Sequence, residues 1–477
     1  MTSDVSATQT WIDAAYLLTG VCFILGLHYL SSPRTARFGN RVAAVGMLIA
    51  LVATGVVLYW GTWWIVIAPL VVGAIVGVYS ARAVKMTAMP QMVALFNGAG
   101  GGAAALVSTA EILQLISSGG PLPIDQALTI MLSSIIGSIS FAGSIIAFLK
   151  LQEWMTGRPI TYPGQQFVNA IILLVALAAA VLVIGNLTPG AVPLDTTTTY
   201  FIGLAAALLL GVLFVLPIGG ADMPVIISLL NSFTGLAAAM TGFVLSNNVL
   251  IISGALVGAS GTLLTILMSR AMNRSITNVL FGAFGAVKAV GGAAAPDSSG
   301  GNVRAASVDD VATMLAYANQ VVVVPGYGMA VAQAQHSVRD LADSLEKRGV
   351  EVKYAIHPVA GRMPGHMNVL LAEANVPYPQ LFDMDDINPE FPRTDVALVI
   401  GANDVTNPAA RNVPASPIFG MPILDVDKAH NVVVLKRSMN PGFAGIDNPL
   451  YEEPNTVMLF GDAKKSVDAL NSAVKTL

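Results

Sequence analysis

Long apolar runs fill the first 270 residues of this 477-residue chain and stop there. A transmembrane helix needs about 20 predominantly apolar residues. Nine windows meet that requirement, at residues 11–30, 42–60, 63–79, 92–115, 127–149, 167–185, 200–217, 225–245 and 250–269. We therefore expect residues 1–270 to form a polytopic α-helical membrane domain with about nine transmembrane helices.

The fourth window is unusually small and slightly polar, because it contains Asn97, Gly98, Gly100, Gly101 and Gly102. Such a segment could also be a buried loop. Small residues let helices approach closely within a membrane bundle, which favours a helix at this position.

Basic residues are distributed asymmetrically between the windows. Nine of them follow windows 1, 3, 5 and 9, and none follows windows 2, 4, 6 or 8. The nine are Arg34, Arg37, Arg41, Arg82, Lys85, Lys150, Arg158, Arg270 and Arg274. Because cytoplasmic loops are enriched in lysine and arginine, we expect the N-terminus outside and the C-terminal part in the cytoplasm.

Charge divides the chain into two parts. Residues 1–290 contain 10 Lys+Arg and 7 Asp+Glu, which leaves 14 and 21 of the totals of 24 and 28 for residues 291–477. This acidic second part disfavours a nucleic-acid partner. A Gly/Ala/Ser-rich stretch at 291–301 is typical of a flexible linker. We expect a linker over residues 271–310 and a soluble domain over residues 311–477. The single cysteine, Cys22, permits no disulfide within the chain.

A few polar residues lie within or beside the apolar windows, where they are costly. Asp222 opens the eighth window and precedes Pro224, so it could serve only as a helix N-cap. Asn231, Asn97 and Ser144 could face the same bundle interior and help to carry protons. Each of them alone could equally be a hydrogen-bonding contact between helices.

The C-terminal part alternates strands with helices. Strands are predicted at residues 321–324, 351–356, 396–400, 432–435 and 457–460, and helices at 330–348 and 463–474. This order predicts an α/β Rossmann-like domain with a doubly wound parallel sheet. His357 and His366 have no third ligand at metal spacing, so no metal site is predicted.

Gly326 and Gly328 lie where the first strand turns into a helix, the context of a dinucleotide-binding turn. Val331 replaces the third glycine, so the fingerprint is incomplete. Residues 357–362 (HPVAGR) follow the second strand and contain no acid for a ribose 2′-hydroxyl, which disfavours NAD. Lys436 and Arg437 end a later strand. They could bind the 2′-phosphate of NADP(H), or they could be an ordinary exposed strand end.

Several long motifs closely resemble beta subunits of proton-translocating nicotinamide nucleotide transhydrogenases. These motifs are VPGYGMAVAQA at 324–334, HPVAGRMPGHMN at 357–368, GAND at 401–404, KRSMN at 436–440 and GDAK at 461–464. GGADMP at 219–224 and AMNRS at 271–275 extend the resemblance into the membrane part. The resemblance therefore covers essentially the whole chain.

The resemblance implies an NADP(H)-binding membrane subunit that couples hydride transfer from NADH, bound by an alpha subunit, to proton movement. The assembly is expected to be a dimer of alpha–beta units in the bacterial inner (cytoplasmic) membrane. Implied proton-path and coupling residues are Asn97, Ser144, Asp222, Asn231, Arg274 and Asp404. Implied cofactor-binding residues are Gly326, Tyr327, Gly328, Met329, Ala330, Val331, Ala360, Gly361, Arg362, Gly401, Ala402, Asn403, Asp404, Lys436, Arg437, Ser438, Gly442, Phe443, Gly461, Asp462 and Ala463.

The resemblance also implies a lid over the nucleotide at residues 411–425 and a mobile interface loop at residues 384–389. Two positions depart from the family pattern. Asn97 replaces a histidine found in some members and cannot titrate, and Phe443 replaces a tyrosine and loses its hydroxyl. A transporter or channel with a nucleotide-sensing domain is the rival interpretation from another class, and a stand-alone membrane dehydrogenase is a third.

Overall fold

The computed structural model describes residues 2–32, 35–57, 63–84, 88–118, 123–156, 159–187, 195–219, 222–271, 303–362, 365–414, 416, 418–440, 442 and 444–477. The chain divides into two compact units, residues 1–265 and 266–477. We call residues 1–265 the membrane unit and residues 266–477 the soluble unit.

The membrane unit consists of long apolar helices. Within the described part of the chain, nine helices are long and apolar enough to cross a membrane. They are α1 (Thr2–Leu30), α2 (Ala36–Val57), α3 (Trp63–Ala83), α4 (Met89–Ser118), α5 (Ile124–Leu151), α6 (Gln165–Leu187), α7 (Thr196–Val215), α8 (Met223–Val244) and α9 (Asn248–Ala271). The fourth window is therefore a helix, and the predicted multi-pass architecture is confirmed.

Small residues allow the membrane helices to pack backbone against backbone. A Cβ atom at Gly101 on α4 would lie 2.9 Å from the carbonyl oxygen of Gly137 on α5. A Cβ atom at Gly211 on α7 would lie 2.5 Å from the carbonyl oxygen of Ile139. Helix α5 is thus held closely between α4 and α7, which is the packing that glycine favours in membranes. Helix α3 differs, because none of its residues is buried against the described part of the chain.

The soluble unit is built on a parallel sheet of six strands in the order β3-β2-β1-β4-β5-β6. The strands are β1 (Gln320–Pro325), β2 (Glu351–Ile356), β3 (Leu381–Asp383), β4 (Val396–Ile400), β5 (Asn431–Lys436) and β6 (Thr456–Phe460). Strands β1 and β4 are buried along their whole length, as their runs of apolar residues predict. The strand order reverses between β1 and β4, where open α/β sheets bind ligands at the carboxyl ends of the strands.

Helices cover the sheet and connect its strands. They are α10 (Val308–Ala316), α11 (Tyr327–Val331), α12 (Gln335–Glu346), α13 (His366–Glu373), α14 (Met384–Ile387), α15 (Ala409–Asn412) and α16 (Ala463–Thr476). The prediction of a single helix over residues 330–348 was wrong, because a turn interrupts the helix between α11 and α12. Gln333 has a φ of 52° there, and this left-handed conformation is incompatible with a continuing right-handed helix.

Candidate functional site

The first loop at the carboxyl edge follows β1 and packs tightly on the loop that follows β4. The N–H groups of Gly326 and Gly328 donate to the carbonyl oxygens of Ile400 and Gly401, both at 2.9 Å. A Cβ atom at Gly328 would lie 2.7 Å from the Cα atom of Gly401, so a larger residue would separate the loops. Gly401 itself has a φ of 66°. These glycines therefore hold the two central loops of the edge together.

Behind this turn, the side chains of Met329 and Ala330 are fully buried, whereas Val331 is 45 % exposed. Ala360, Ala402 and Ala463 are also buried, so they shape the edge without presenting polar groups. The predicted alanines and Met329 therefore act as packing beneath the loops.

Asn403 and Asp404 follow β4 at the centre of the edge. The Oδ1 atom of Asn403 accepts hydrogen bonds from the Tyr451 hydroxyl at 2.7 Å and from the Asn448 Nδ2 atom at 3.0 Å. The Asp404 Oδ2 atom accepts from the N–H of Ala444 at 2.9 Å. A Cβ atom at Gly442 would lie 2.6 Å from the side chains of both Asn403 and Asp404. The segment around Gly442 is thus fitted closely onto this pair.

Lys436 ends β5 beside the Asn403–Asp404 pair. Its Nζ atom donates to the carbonyl oxygen of Asn440 at 2.6 Å and lies 4.7 Å from the ring centroid of Tyr451. Burial lowers the pKa of the Lys436 ammonium, and the carboxylates of Asp404 and Asp447 oppose that shift. A cation in such a partly desolvated position would gain from a bound anion.

Four further predicted cofactor-binding residues lie close to Lys436. Two follow it in the chain, and two follow the neighbouring strand β6. Arg437 and Ser438 are exposed. The N–H of Gly461 donates to the carbonyl oxygen of Lys436 at 3.1 Å, and Asp462 caps α16 through the N–H of Lys465. The edge formed by β5 and β6 therefore presents cations beside a helix N-terminus. Phe443 lies outside the described residues.

A second cation, Arg362, lies near the loop after β1. Its guanidinium carbon is 4.6 Å from the ring centroid of Tyr327. The N–H of Arg362 donates to the Nδ1 atom of His366 at 3.1 Å, and Gly361, with a φ of 105°, packs against the same ring. Burial, together with the charge of Arg362, lowers the pKa of His366 to about 4. The ring is therefore neutral at pH 7, with its proton on Nε2.

His357 fastens the end of β2 to the loop at residues 411–425. Its Nε2 atom lies 2.8 Å from the carbonyl oxygen of Pro422, and its Nδ1 atom accepts from the N–H of Val359. Asn388, in the loop at residues 384–389, donates to the carbonyl oxygen of Ile423 at 3.0 Å and accepts from the N–H of Asp425 at 3.0 Å. The two loops that the resemblance identifies as lid and interface are thus joined directly.

Two buried hydrogen-bond donors at this edge test whether a dinucleotide fits. Asn403 Nδ2 and His366 Nε2 have no hydrogen-bond partner among the described residues. Buried donors are normally paired, so both are available to an oxygen acceptor of a bound ligand. A nicotinamide dinucleotide offers carboxamide, ribose and phosphate oxygens. The residues present therefore fit such a ligand at the carboxyl edge.

The membrane unit brings two predicted residues together. The Asn97 Nδ2 atom donates to the hydroxyl of Ser144 at 2.9 Å and to that of Ser140 at 3.3 Å. Ser140 lies 2.6 Å from the hydroxyl of Thr234 on α8. The Asn97 Oδ1 atom is buried without a hydrogen-bond partner in the described part of the chain. We call Asn97, Ser140, Ser144 and Thr234 the membrane polar cluster.

Two of the remaining predicted membrane residues belong to α8 or directly precede it. Asn231 is half-buried and lies three residues before Thr234, so the two share one side of α8. Asp222 is the residue before α8, and its N–H donates to the carbonyl oxygen of Gly219 at 3.1 Å. Its side chain makes no N-cap hydrogen bond. Arg274 lies outside the described residues.

Sequence reasoning missed several residues that build these sites. Ser140 and Thr234 complete the membrane polar cluster, and Asn448, Tyr451 and His366 hydrogen-bond to residues at the carboxyl edge of the sheet. Asn448 and Tyr451 act on a residue 45 and 48 positions away. Spacing along the chain gives no signal for such pairs. Ser140 was detectable, since it lies one helical turn before Ser144 on the same face.

Together these features define a polytopic membrane protein that carries a dinucleotide-binding type of α/β domain. The family model of the NAD(P) transhydrogenase beta subunit matches residues 12–473. The NAD(P) transhydrogenase subunit beta of Rhodospirillum rubrum is 51% identical over 478 residues, covering 98% of this chain and 100% of that relative. A protein of the same name from a specified strain of that organism has the same identity and coverage.

The chain belongs to the family of NAD(P) transhydrogenase beta subunits. Membership assigns it a role in an oxidoreductase reaction of nicotinamide nucleotides, together with an alpha subunit.

Proposed function

We propose that this chain binds NADP(H) and couples hydride exchange with NAD(H), held by the alpha subunit, to proton movement across the membrane. The observation that carries the proposal is the carboxyl edge of the sheet. There, cations and buried donors that lack a partner among the described residues lie on either side of the tightly packed glycine loops at the switch point between β1 and β4.

Lys436 and Arg437 are the proposed partners of the 2′-phosphate, because they lie at a strand end where a bound anion compensates a desolvated cation. The loop at residues 326–331 and residues 401–404 would line the dinucleotide backbone and the nicotinamide. When bound, NADP+ supplies the carbon that accepts the hydride. No side chain has to act as acid or base on the ring, so the protein's task there is to position it and exclude water.

Coupling requires a protonation change in the membrane unit. Asn97 is an amide, so Asp222 is the titratable candidate among the described path residues of the membrane unit, and Asp404 is the corresponding carboxylate beside the nucleotide site. Asn97, Ser144 and Asn231 would orient water or the proton on its route, and Arg274 would connect to the soluble unit. Membrane potential supplies about 2.3 kcal/mol per charge per 100 mV. That energy shifts a nearly thermoneutral product ratio about fiftyfold.

The proposed arrangement places the protein in the bacterial inner membrane with the N-terminus outside and the soluble unit in the cytoplasm, following the distribution of basic residues. We propose the boundaries 1–270, 271–310 and 311–477 for the membrane domain, linker and nucleotide domain. Two alpha–beta units would form the assembly.

Reconstitution tests the proposal. The chain and its alpha subunit are placed in vesicles, and reduction of an NAD analogue by NADPH is followed together with internal pH. We expect both signals to require the alpha subunit and NADPH. Ion flux that responds to NADPH without the alpha subunit would instead support a transporter with a nucleotide sensor.

Asp222→Asn tests the coupling role in the same vesicles. We expect proton pumping and NADPH-dependent reduction to fall together, since the variant cannot release a proton. Asp195→Asn is the matched control, because Asp195 is an exposed N-cap at the start of α7. Unchanged pumping in Asp222→Asn would remove Asp222 from the proton path.

A further inference from the structure

Lys150 is a buried cation in the last turn of α5. Its position after the fifth apolar window predicts a loop residue, yet only 3 % of it is exposed. The Nζ atom donates to the carbonyl oxygens of Ile218 at 2.8 Å, Val215 at 3.4 Å and Leu216. An ammonium group has three N–H donors and no acceptor, so the charged form matches these three carbonyls.

The three carbonyls belong to the end of α7 and the turn that follows it. The last carbonyls of a helix lack partners within the helix, and a cation is favourable beside them. The same turn is held by two further bonds, from the N–H of Ile160 to the oxygen of Leu216 and from the N–H of Ile218 to the oxygen of Val215, both at 3.1 Å. Lys150 thus ties α5 to this turn through all three carbonyls.

The turn leads directly to Asp222. Gly219 follows Ile218, and its carbonyl oxygen accepts the N–H of Asp222. Helix α5 also carries Ser144 of the membrane polar cluster, six residues before Lys150, or ~9 Å along the helix axis. Helix α5 therefore contacts Asn97 through Ser144 and, closer to its C-terminal end, contacts the turn before Asp222 through Lys150.

We propose that Lys150 is a positioning residue for proton coupling, which holds the turn before Asp222 in a fixed place relative to the Asn97–Ser144 contact. This inference rests on the proposed function. Without the lysine, the turn loses these three hydrogen bonds to α5, and a protonation change at Asp222 acts more weakly on the membrane polar cluster. Hydride transfer between nucleotides already bound does not involve Lys150.

Two rates separate coupling from simple loss of structure. The chain is reconstituted with the alpha subunit in vesicles. The first rate is a single turnover of hydride transfer after rapid mixing of preloaded nucleotides. The second is the steady-state rate with and without an imposed pH gradient. The variants are Lys150→Met, Lys150→Gln, which keeps two N–H donors without the charge, and Lys150→Arg, which keeps the charge.

We expect Lys150→Met to retain the single-turnover rate but to lose about tenfold of its stimulation by the gradient, equivalent to about 1.4 kcal/mol. Lys150→Arg should restore most of the stimulation. Arg82→Met is the matched control, since Arg82 is an exposed cation in the last turn of α3, and it should behave as the original protein.

Full stimulation in Lys150→Met would overturn the inference. A parallel loss of both rates, without recovery in Lys150→Arg, would also overturn it, because Lys150 would then be only a helix cap. If Lys150→Met does not assemble, Lys150→Gln decides between the same outcomes. Absence of a gradient response in the original protein would refute the proposed function itself, so the two failures are distinguishable.

Discussion

The membrane unit and the soluble unit use glycine at very different places. In the membrane unit, close backbone contacts occur along the length of the spans, as at Gly101, Gly137 and Gly211. In the soluble unit, the strands pack through buried apolar side chains. Close contacts there concentrate at the carboxyl edge, at Gly326, Gly328 and Gly401.

The difference reflects the surroundings of each unit. Lipid is as apolar as a leucine side chain, so burying apolar surface does little to associate helices, and close packing has to do so. In water, burial of apolar surface is itself the driving force. Tight glycine contacts therefore mark helix packing in the membrane unit and the proposed ligand-binding edge in the soluble unit.

The largest effect is expected from Gly211→Val. Its first added carbon would lie 2.5 Å from the backbone oxygen of Ile139, so α5 and α7 must separate. We expect a cost above about 3 kcal/mol, the upper end of usual overpacking penalties. The yield of assembled protein in detergent measures it. Gly73→Val is the control, since an added carbon there meets nothing within 4 Å. Equal yields of the two variants would contradict the packing account.

Lys436→Gln tests the ligand edge of the soluble unit. A charge-assisted hydrogen bond contributes about 1.5–3 kcal/mol, so we expect NADP+ to bind about 10- to 100-fold more weakly. NAD+ binding should change little, because NAD+ lacks the 2′-phosphate. Equilibrium titration measures both affinities. Lys475→Gln, at an exposed position near the end of α16, is the control. An equal loss for both nucleotides would place the 2′-phosphate elsewhere.

His366 should make the soluble unit sensitive to acid. Its pKa is lowered to about 4 in the folded protein, against an ordinary value of 6.5, so the unfolded chain binds the proton more readily. The free energy of unfolding therefore keeps its full value above about pH 6.5, and it decreases as the pH falls towards 4. The loss between pH 7 and pH 5 is about 2 kcal/mol.

We expect His366→Gln to remove that part of the pH dependence. Hydrogen exchange of the sheet amides, followed by mass spectrometry at pH 7 and pH 5, provides the measurement. His336→Gln, at an exposed position on α12, should keep the original dependence. A pH dependence that is unaltered in His366→Gln would mean that another group causes it.

Two matched serines give the smallest effect. Ser133 bonds to Thr241 across membrane helices at 2.7 Å, and Ser344 bonds to Asn471 in the soluble unit at 2.7 Å. We expect Ser133→Ala to cost about 0.6 kcal/mol. Ser344→Ala should cost about 1 kcal/mol. Thermal unfolding of the purified protein measures both. A cost above about 2 kcal/mol for Ser133→Ala would show that hydroxyl contacts, rather than glycine packing, hold the bundle.

Much of the fold could be predicted from apolar patterns. Each membrane window corresponds to a helix, and β2 and β4 begin and end at the predicted residues, 351–356 and 396–400. Strand β3 was missed, because it has only three residues and none of them is fully buried. The break between α11 and α12 was missed because the turn at Gln333 contains no glycine or proline.

The site was predictable where it depends on strand ends. Parallel strands end at one edge, so the glycine loop and Lys436 could be assigned to the same face in advance. The contacts of Asn403 with Tyr451 and of His366 with Gly361 depend on tertiary packing that spacing does not encode. Lys150 is the opposite case. The enrichment of basic residues in cytoplasmic loops predicted a loop position for it, but it is buried within the helix bundle.

We propose that the two units form one coupled enzyme with the alpha subunit. NADH carrying deuterium at both positions of carbon 4 is supplied with NADP+ to vesicles that contain both subunits, with and without an imposed pH gradient. For a coupled enzyme, we expect deuterium in the NADPH formed, none in water, and faster transfer with the gradient. Unlabelled NADPH, or a transfer rate indifferent to the gradient, would contradict it.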